Sequence, residues 1–164
     1  MLSTRFSRFV VAVAVVFAAT IALTQTTRNV VRAAAPDAAA VKKEQEKLQG
    51  VWAAQEVTIG GQELPKELTK TIRLTLKGDR YEVPTPNNML DKGVVILDPT
   101  TTPRSMSIKG EEGPNKGKTM LAIYELNGDE LKVCYDIKGE KTPASFTPDS
   151  NSQLLLIRYK RESK

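Results

Sequence analysis

There is no histidine anywhere in the 164 residues of this chain. Histidine is the side chain that most readily exchanges a proton near neutral pH, and the commonest transition-metal ligand. Its absence excludes Ser-His-Asp and Cys-His catalysis and, with them, ordinary zinc sites. A single cysteine, Cys134, excludes an intramolecular disulfide, so the fold must be held by its core alone. Cys134 itself reads as a small buried strand residue. Aromatic residues make up only 5% of the chain, and each is read first as a core-packing residue. No Gly-x-Ser-x-Gly, Walker or dinucleotide-binding motif occurs. The stretch Gly110 to Lys118 has glycines and lysines but no strand-loop-helix context in which to cradle phosphate.

Positive charge is less abundant than the net value of +5 suggests. Four of the 24 basic residues, Arg5, Arg8, Arg28 and Arg32, lie in residues 1–35, where there is no Asp or Glu. The remainder carries 20 basic against 19 acidic side chains with both signs interspersed. Such a surface does not track nucleic-acid phosphates. Arg5 and Arg8 instead precede an apolar run from Phe9 to Leu23, interrupted only by Thr20. This run is somewhat short of the ~20 residues of a spanning helix. Residues 1–35 are therefore expected to be an export signal, cut after Ala35 or as late as Ala40. The expected location is the periplasm, the cell envelope or outside the cell, with no stable membrane span after processing. An uncleaved anchor is the alternative. No cysteine directly follows the run, which excludes lipid attachment at a processed N-terminal Cys.

Residues 36–47 read as a helical lead-in, with Asp37 in the first turn, good helix formers over Lys42 to Lys47 and Gly50 beyond its end. From Leu48 to Glu162 the period is 2 rather than 3.6, punctuated by Gly, Pro, Asn and Asp. Strands are expected at Val51 to Ile59, Thr71 to Lys77, Arg80 to Val83, Gly93 to Leu97, Ser105 to Ile108, Met120 to Leu126, Leu131 to Ile137 and Ser152 to Tyr159. Leu64 to Leu68 suits a short crossover, Pro84 to Lys92 a polar loop. Asn127-Gly128-Asp129 is the strongest hairpin signal, since Asn-Gly readily takes the positive φ angles of a tight β-turn. Short strands joined in simple order favour an all-β, up-and-down antiparallel barrel of about eight strands over a Greek-key sandwich.

Gly50-Val51-Trp52, with a basic residue on the last strand, Arg158, resembles the lipocalin and calycin pattern. That resemblance implies a barrel base of Gly50, Trp52 and Arg158, with the arginine packed over the indole. Over residues 45–160, Leu48 to Trp52, Ile123 to Cys134 and Pro143-Ala144-Ser145-Phe146 further resemble a family of exported lipocalin-like domains abundant in Planctomycetes. No activity is assigned to that family. Its members commonly carry Arg before the Pro-x-x-Phe, where this chain has Thr142, with Lys141 one position earlier.

If Trp52 points into the barrel, alternation sends Ala54 and Glu56 the same way, and an interior Glu56 needs a partner such as Arg73 or Arg80. A β-bulge, or a rim position in water, would instead leave Glu56 outside. Carboxylates such as Glu82, Asp91 and Asp98 could pair for acid/base work only if the fold gathers them, and neither catalysis nor calcium binding is the leading expectation. The candidate ligand-binding set is Glu56, Tyr81, Met106, Tyr124 and Tyr135. The expected function is non-catalytic, without a cofactor or metal, with a small apolar or amphipathic molecule as partner. The alternative is a structural or protein-interaction domain of the envelope whose barrel is filled by its own side chains.

Overall fold

The computed structural model describes residues 36–86, 89–148 and 152–163. The expected export signal, residues 1–35, lies outside them. Helix α1 (Ala38–Leu48) begins at Asp37, whose carboxylate accepts the Ala39 amide at 3.1 Å. Its inward stripe, Val41, Glu44 and Leu48, follows helical spacing, and Glu44 and Leu48 are buried.

The rest is β structure: β1 (Gly50–Ile59), β2 (Gln62–Glu63), helix α2 (Lys66–Thr69), β3 (Arg73–Lys77), β4 (Arg80–Pro84), β5 (Leu90–Asp98), β6 (Arg104–Glu112), β7 (Thr119–Asn127), β8 (Glu130–Asp136) and β9 (Leu154–Arg161). Every pairing is antiparallel. From β3 onward each strand pairs with the next in the chain, and β1 pairs with β3. β9 then returns to β1, from Trp52 opposite Arg161 to Ile59 opposite Leu155, which closes eight strands into a lipocalin-like barrel. β2 is a spur on β1. Closure leaves no long unpaired edge. The inward residues of alternate positions form one core that includes Trp52, Leu74, Leu76, Val133, Ile157 and Tyr159.

Antiparallel order places successive connections at opposite ends. The end that carries α1 also holds the tight turns at Gly78-Asp79 and Gly128-Asp129 and the short β5–β6 link. The opposite end holds α2, the β4–β5 and β6–β7 loops and the long β8–β9 connection. That connection folds back over the outside of the sheet. Phe146 packs there on Ile123, Cys134 and Leu156, under the Lys132 ammonium 4.3 Å from its ring. Cys134 is fully buried, and burial pushes its thiol up to about 11. Asp136 fixes the start of the connection. Burial alone would raise its carboxyl, but hydrogen bonds from the amides of Lys141, Lys138, Glu140 and Gly139 outweigh it, and its pKa falls below the ordinary value. Three of those bonds span 2.7–3.0 Å.

Two strand limits differ most from the sequence reading. β5 starts at Leu90, inside the expected Pro84 to Lys92 loop, because the buried Asp91 carboxylate is satisfied by Tyr81 and Asn115. β6 runs well past Ile108, because Met106, Ile108 and Gly110 are buried while Lys109 is exposed.

Candidate ligand cavity

The closed end is built around Trp52, which has no exposed surface. Its indole Nε1 donates to the Leu48 carbonyl at 2.9 Å, fastening the first strand to the helix before it. The guanidinium over the indole face belongs to Arg161, 4.0 Å from the ring centroid, and not to Arg158. Strand parity explains this correction. Ile157 and Tyr159 point inward, so the next inward position is 161, directly opposite Trp52. Arg161 also donates to the carbonyls of Lys47, at 2.8 Å, and Gln49, and pairs with Asp129 at 2.9 Å. It thereby caps the helix C-terminus as well as the indole. Gly50 is required beside it. Its φ is +124°, and a Cβ there would meet the Arg161 guanidinium at 3.2 Å.

Glu56 is on the outside of the barrel. A bulge between Ala54 and Glu56 inserts one residue, so Val57 takes the inward position that strict alternation would give to Glu56. The Glu56 carboxylate pairs with Arg158 at 3.0 Å, both about half exposed. Arg73 and Arg80, its expected interior partners, bind Glu162 and Glu111. Tyr124 belongs to the closed end, under the Arg104 guanidinium at 5.2 Å and beside Glu44, which pairs with Arg104 and Lys47. Among the described residues its hydroxyl has no hydrogen-bond partner of good geometry. Burial first, then the Glu44 charge, raises its pKa.

Above this base the barrel encloses a cavity of about 640 Å³, within the ~300–1,000 Å³ usual for small-molecule sites. Its walls are apolar, with Leu74, Leu76, Val95, Ile108, Val133 and Ile157 among them. The mouth, between α2 and the loops of the open end, is formed by Leu68, Thr71, Pro84, Pro86, Asn115 and Leu155. Three tyrosines break the apolar wall. Tyr135 and Tyr159 bring their hydroxyls to 3.5 Å of each other. Tyr81 lies against Gly93 and donates to Asp91 Oδ2 at 3.3 Å. Burial holds the Tyr135 phenol up at about 12 and also raises those of Tyr81 and Tyr159. All three are neutral hydrogen-bonding groups at physiological pH.

Of the expected ligand set, then, Tyr81, Met106 and Tyr135 line the cavity, and Glu56 and Tyr124 do not. The cavity adds Tyr159, Asp91 and Asn115, which the sequence reading left out of the set. Asp91 had no local signal, because its burial depends on Asn115, 24 residues away. No protein-family model and no curated protein matches the chain. The lipocalin-like barrel therefore rests on its own geometry, the closed eight-strand meander with a tryptophan and an arginine at its base.

Proposed function

We propose that this chain is an exported, non-catalytic carrier that binds a small apolar or amphipathic molecule inside its barrel. The observation that carries the reading is the cavity of about 640 Å³. Side chains that filled the barrel, as the structural or interaction alternative requires, would leave no space of that size. Tight burial of an apolar ligand gains ~25 cal/mol per Å² of surface removed from water. The neutral tyrosine hydroxyls add orientation without the large desolvation cost of a charge. Catalysis has little support. Among the described residues Asp91 is the one carboxyl side chain of the wall, whereas acid/base chemistry on a bound molecule ordinarily needs a second, differently tuned group.

The test is native mass spectrometry of the protein isolated from its own cells, together with uptake of an apolar fluorescent probe. A ligand of small-molecule mass, or saturable probe uptake, is expected. Val83→Phe should suppress uptake with little loss of stability, since Val83 lines the cavity and is only partly buried, so the added ring extends into open space rather than packed core. Absence of both a bound ligand and probe uptake would remove the carrier reading in favour of the structural alternative.

A further inference from the structure

Resting on the carrier reading, we infer that the cavity selects amphipathic molecules whose polar end is a hydrogen-bond donor with positive charge, an alkyl- or aryl-ammonium, and rejects carboxylates. The charge of the wall points there. Among the described residues that line the cavity, Asp91 is the one carboxyl side chain, and no Lys or Arg faces the space. Asp91 is 5% exposed and has no ion-pair partner among the described residues. Its three hydrogen bonds come from neutral donors: the Asn115 amide to Oδ1 at 3.1 Å, and the Asn115 side chain and Tyr81 hydroxyl to Oδ2 at 2.7 and 3.3 Å. A carboxylate offers about four lone-pair sites, so one acceptor on Oδ1 is left over.

These partners hold the carboxylate in place but do not neutralise it. An incoming carboxylate would be desolvated beside a like charge with no cation to offset it, whereas an ammonium would supply the missing countercharge and the fourth hydrogen bond. The position of Asp91 suits this arrangement. It sits one residue into β5, at the open end beside Asn115 of the mouth, while the walls below are mostly apolar. A ligand would lie with its hydrocarbon part down the barrel and its head at the rim. Tyr135 and Tyr159, on the facing strands β8 and β9, would take a second polar group on a longer molecule.

The experiment compares dodecylamine, dodecanol and dodecanoate, below their micellar concentrations, as competitors of a fluorescent apolar probe on the protein isolated from its own cells. Dodecylamine should bind at least about tenfold more tightly than dodecanoate, the ratio expected when one charge-assisted hydrogen bond is gained rather than opposed. Asp91→Asn should abolish that preference, and the buried-type emission of Trp52, the single tryptophan of the chain, reports whether the variant is folded. Equal affinity for the amine and the carboxylate, or an amine preference that survives in folded Asp91→Asn, would overturn the inference and leave the carrier reading standing. Failure of all three to compete would remove the carrier reading and the inference with it. Should Asp91→Asn not fold, the amine-to-carboxylate ratio of the wild type decides alone.

Discussion

Replacing Arg161 by Ala should destabilise the barrel by ~3 kcal/mol, and replacing Arg158, three residues earlier on the same strand, should have almost no effect. Arg161 stacks 4.0 Å from the centroid of a fully buried indole, a desolvated geometry in which a cation–π contact contributes ~2 kcal/mol. Its hydrogen bonds to the Lys47 and Gln49 carbonyls have a charged donor, for which ~1.5–3 kcal/mol is typical. The Asp129 partner is 72% exposed, so that pair adds less than ~1 kcal/mol. These contributions share one side chain and overlap, which brings the expected total to ~3 kcal/mol rather than their sum. Arg158 and Glu56 are 54% and 43% exposed, and their removal should change stability by no more than ~0.5 kcal/mol. Urea unfolding is the assay, followed by the emission of Trp52, the single tryptophan of the chain, which should shift from a buried to a water-like spectrum. Arg161→Lys should recover only part of the loss, because an ammonium cannot both cover the ring and fork to two carbonyls. An Arg158→Ala effect equal to that of Arg161→Ala would refute this assignment of the barrel base.

Gly93→Ala should lower stability by ~3 kcal/mol or more, since the new methyl would overlap the Lys109 carbonyl and stand 2.8 Å from the Tyr81 ring; an unchanged urea midpoint would contradict the packing described. The buried tyrosines set an alkaline limit: with the Tyr135 phenol raised from its ordinary 10.0 to about 12, their contribution is complete below pH 10 and is lost as pH rises toward 12 and beyond. Thermal scans between pH 8 and pH 12 should show that decline, and a flat profile would refute it. Mass measurement of the protein from its own cells should show loss of the expected signal, with the cut after Ala35 favoured because a cut after Ala40 would remove the Asp37 cap and the first turn of α1.

The meander and its closure were legible in the sequence wherever turn chemistry and alternation agreed. Asn127-Gly128-Asp129 forms the tight β7–β8 hairpin, with Gly128 at φ +58°. Alternation failed at Glu56, because one bulged residue reverses every inward and outward position beyond it and no residue type in Ala54-Gln55-Glu56 marks the insertion. The partner of Trp52 could have been read. Counting by twos from Tyr159, whose apolar body belongs inside, reaches Arg161 rather than Arg158. The cavity could not have been read. Tyr81, Asp91, Asn115, Tyr135 and Tyr159 come from five segments and meet only because the barrel closes. Whether inward side chains fill a barrel or leave a space is a sum over all its strands, which no single strand records.

The two ends of the barrel are built differently. The α1 end is clamped by Trp52, Arg161, the Arg104–Glu44 pair and Gln49, which exchanges hydrogen bonds with the Gly78 backbone. Both the helix leading into the sheet and the last strand leading out of it lie at this end, opposite the mouth. Tethering the protein just beyond β9 would therefore leave the cavity facing solution, which makes the end of that strand the place for surface immobilisation or reporter fusion. Loops at the far rim could be exchanged in a library without disturbing the clamp, so under the carrier reading altered ligand choice and retained fold become separable goals for engineering.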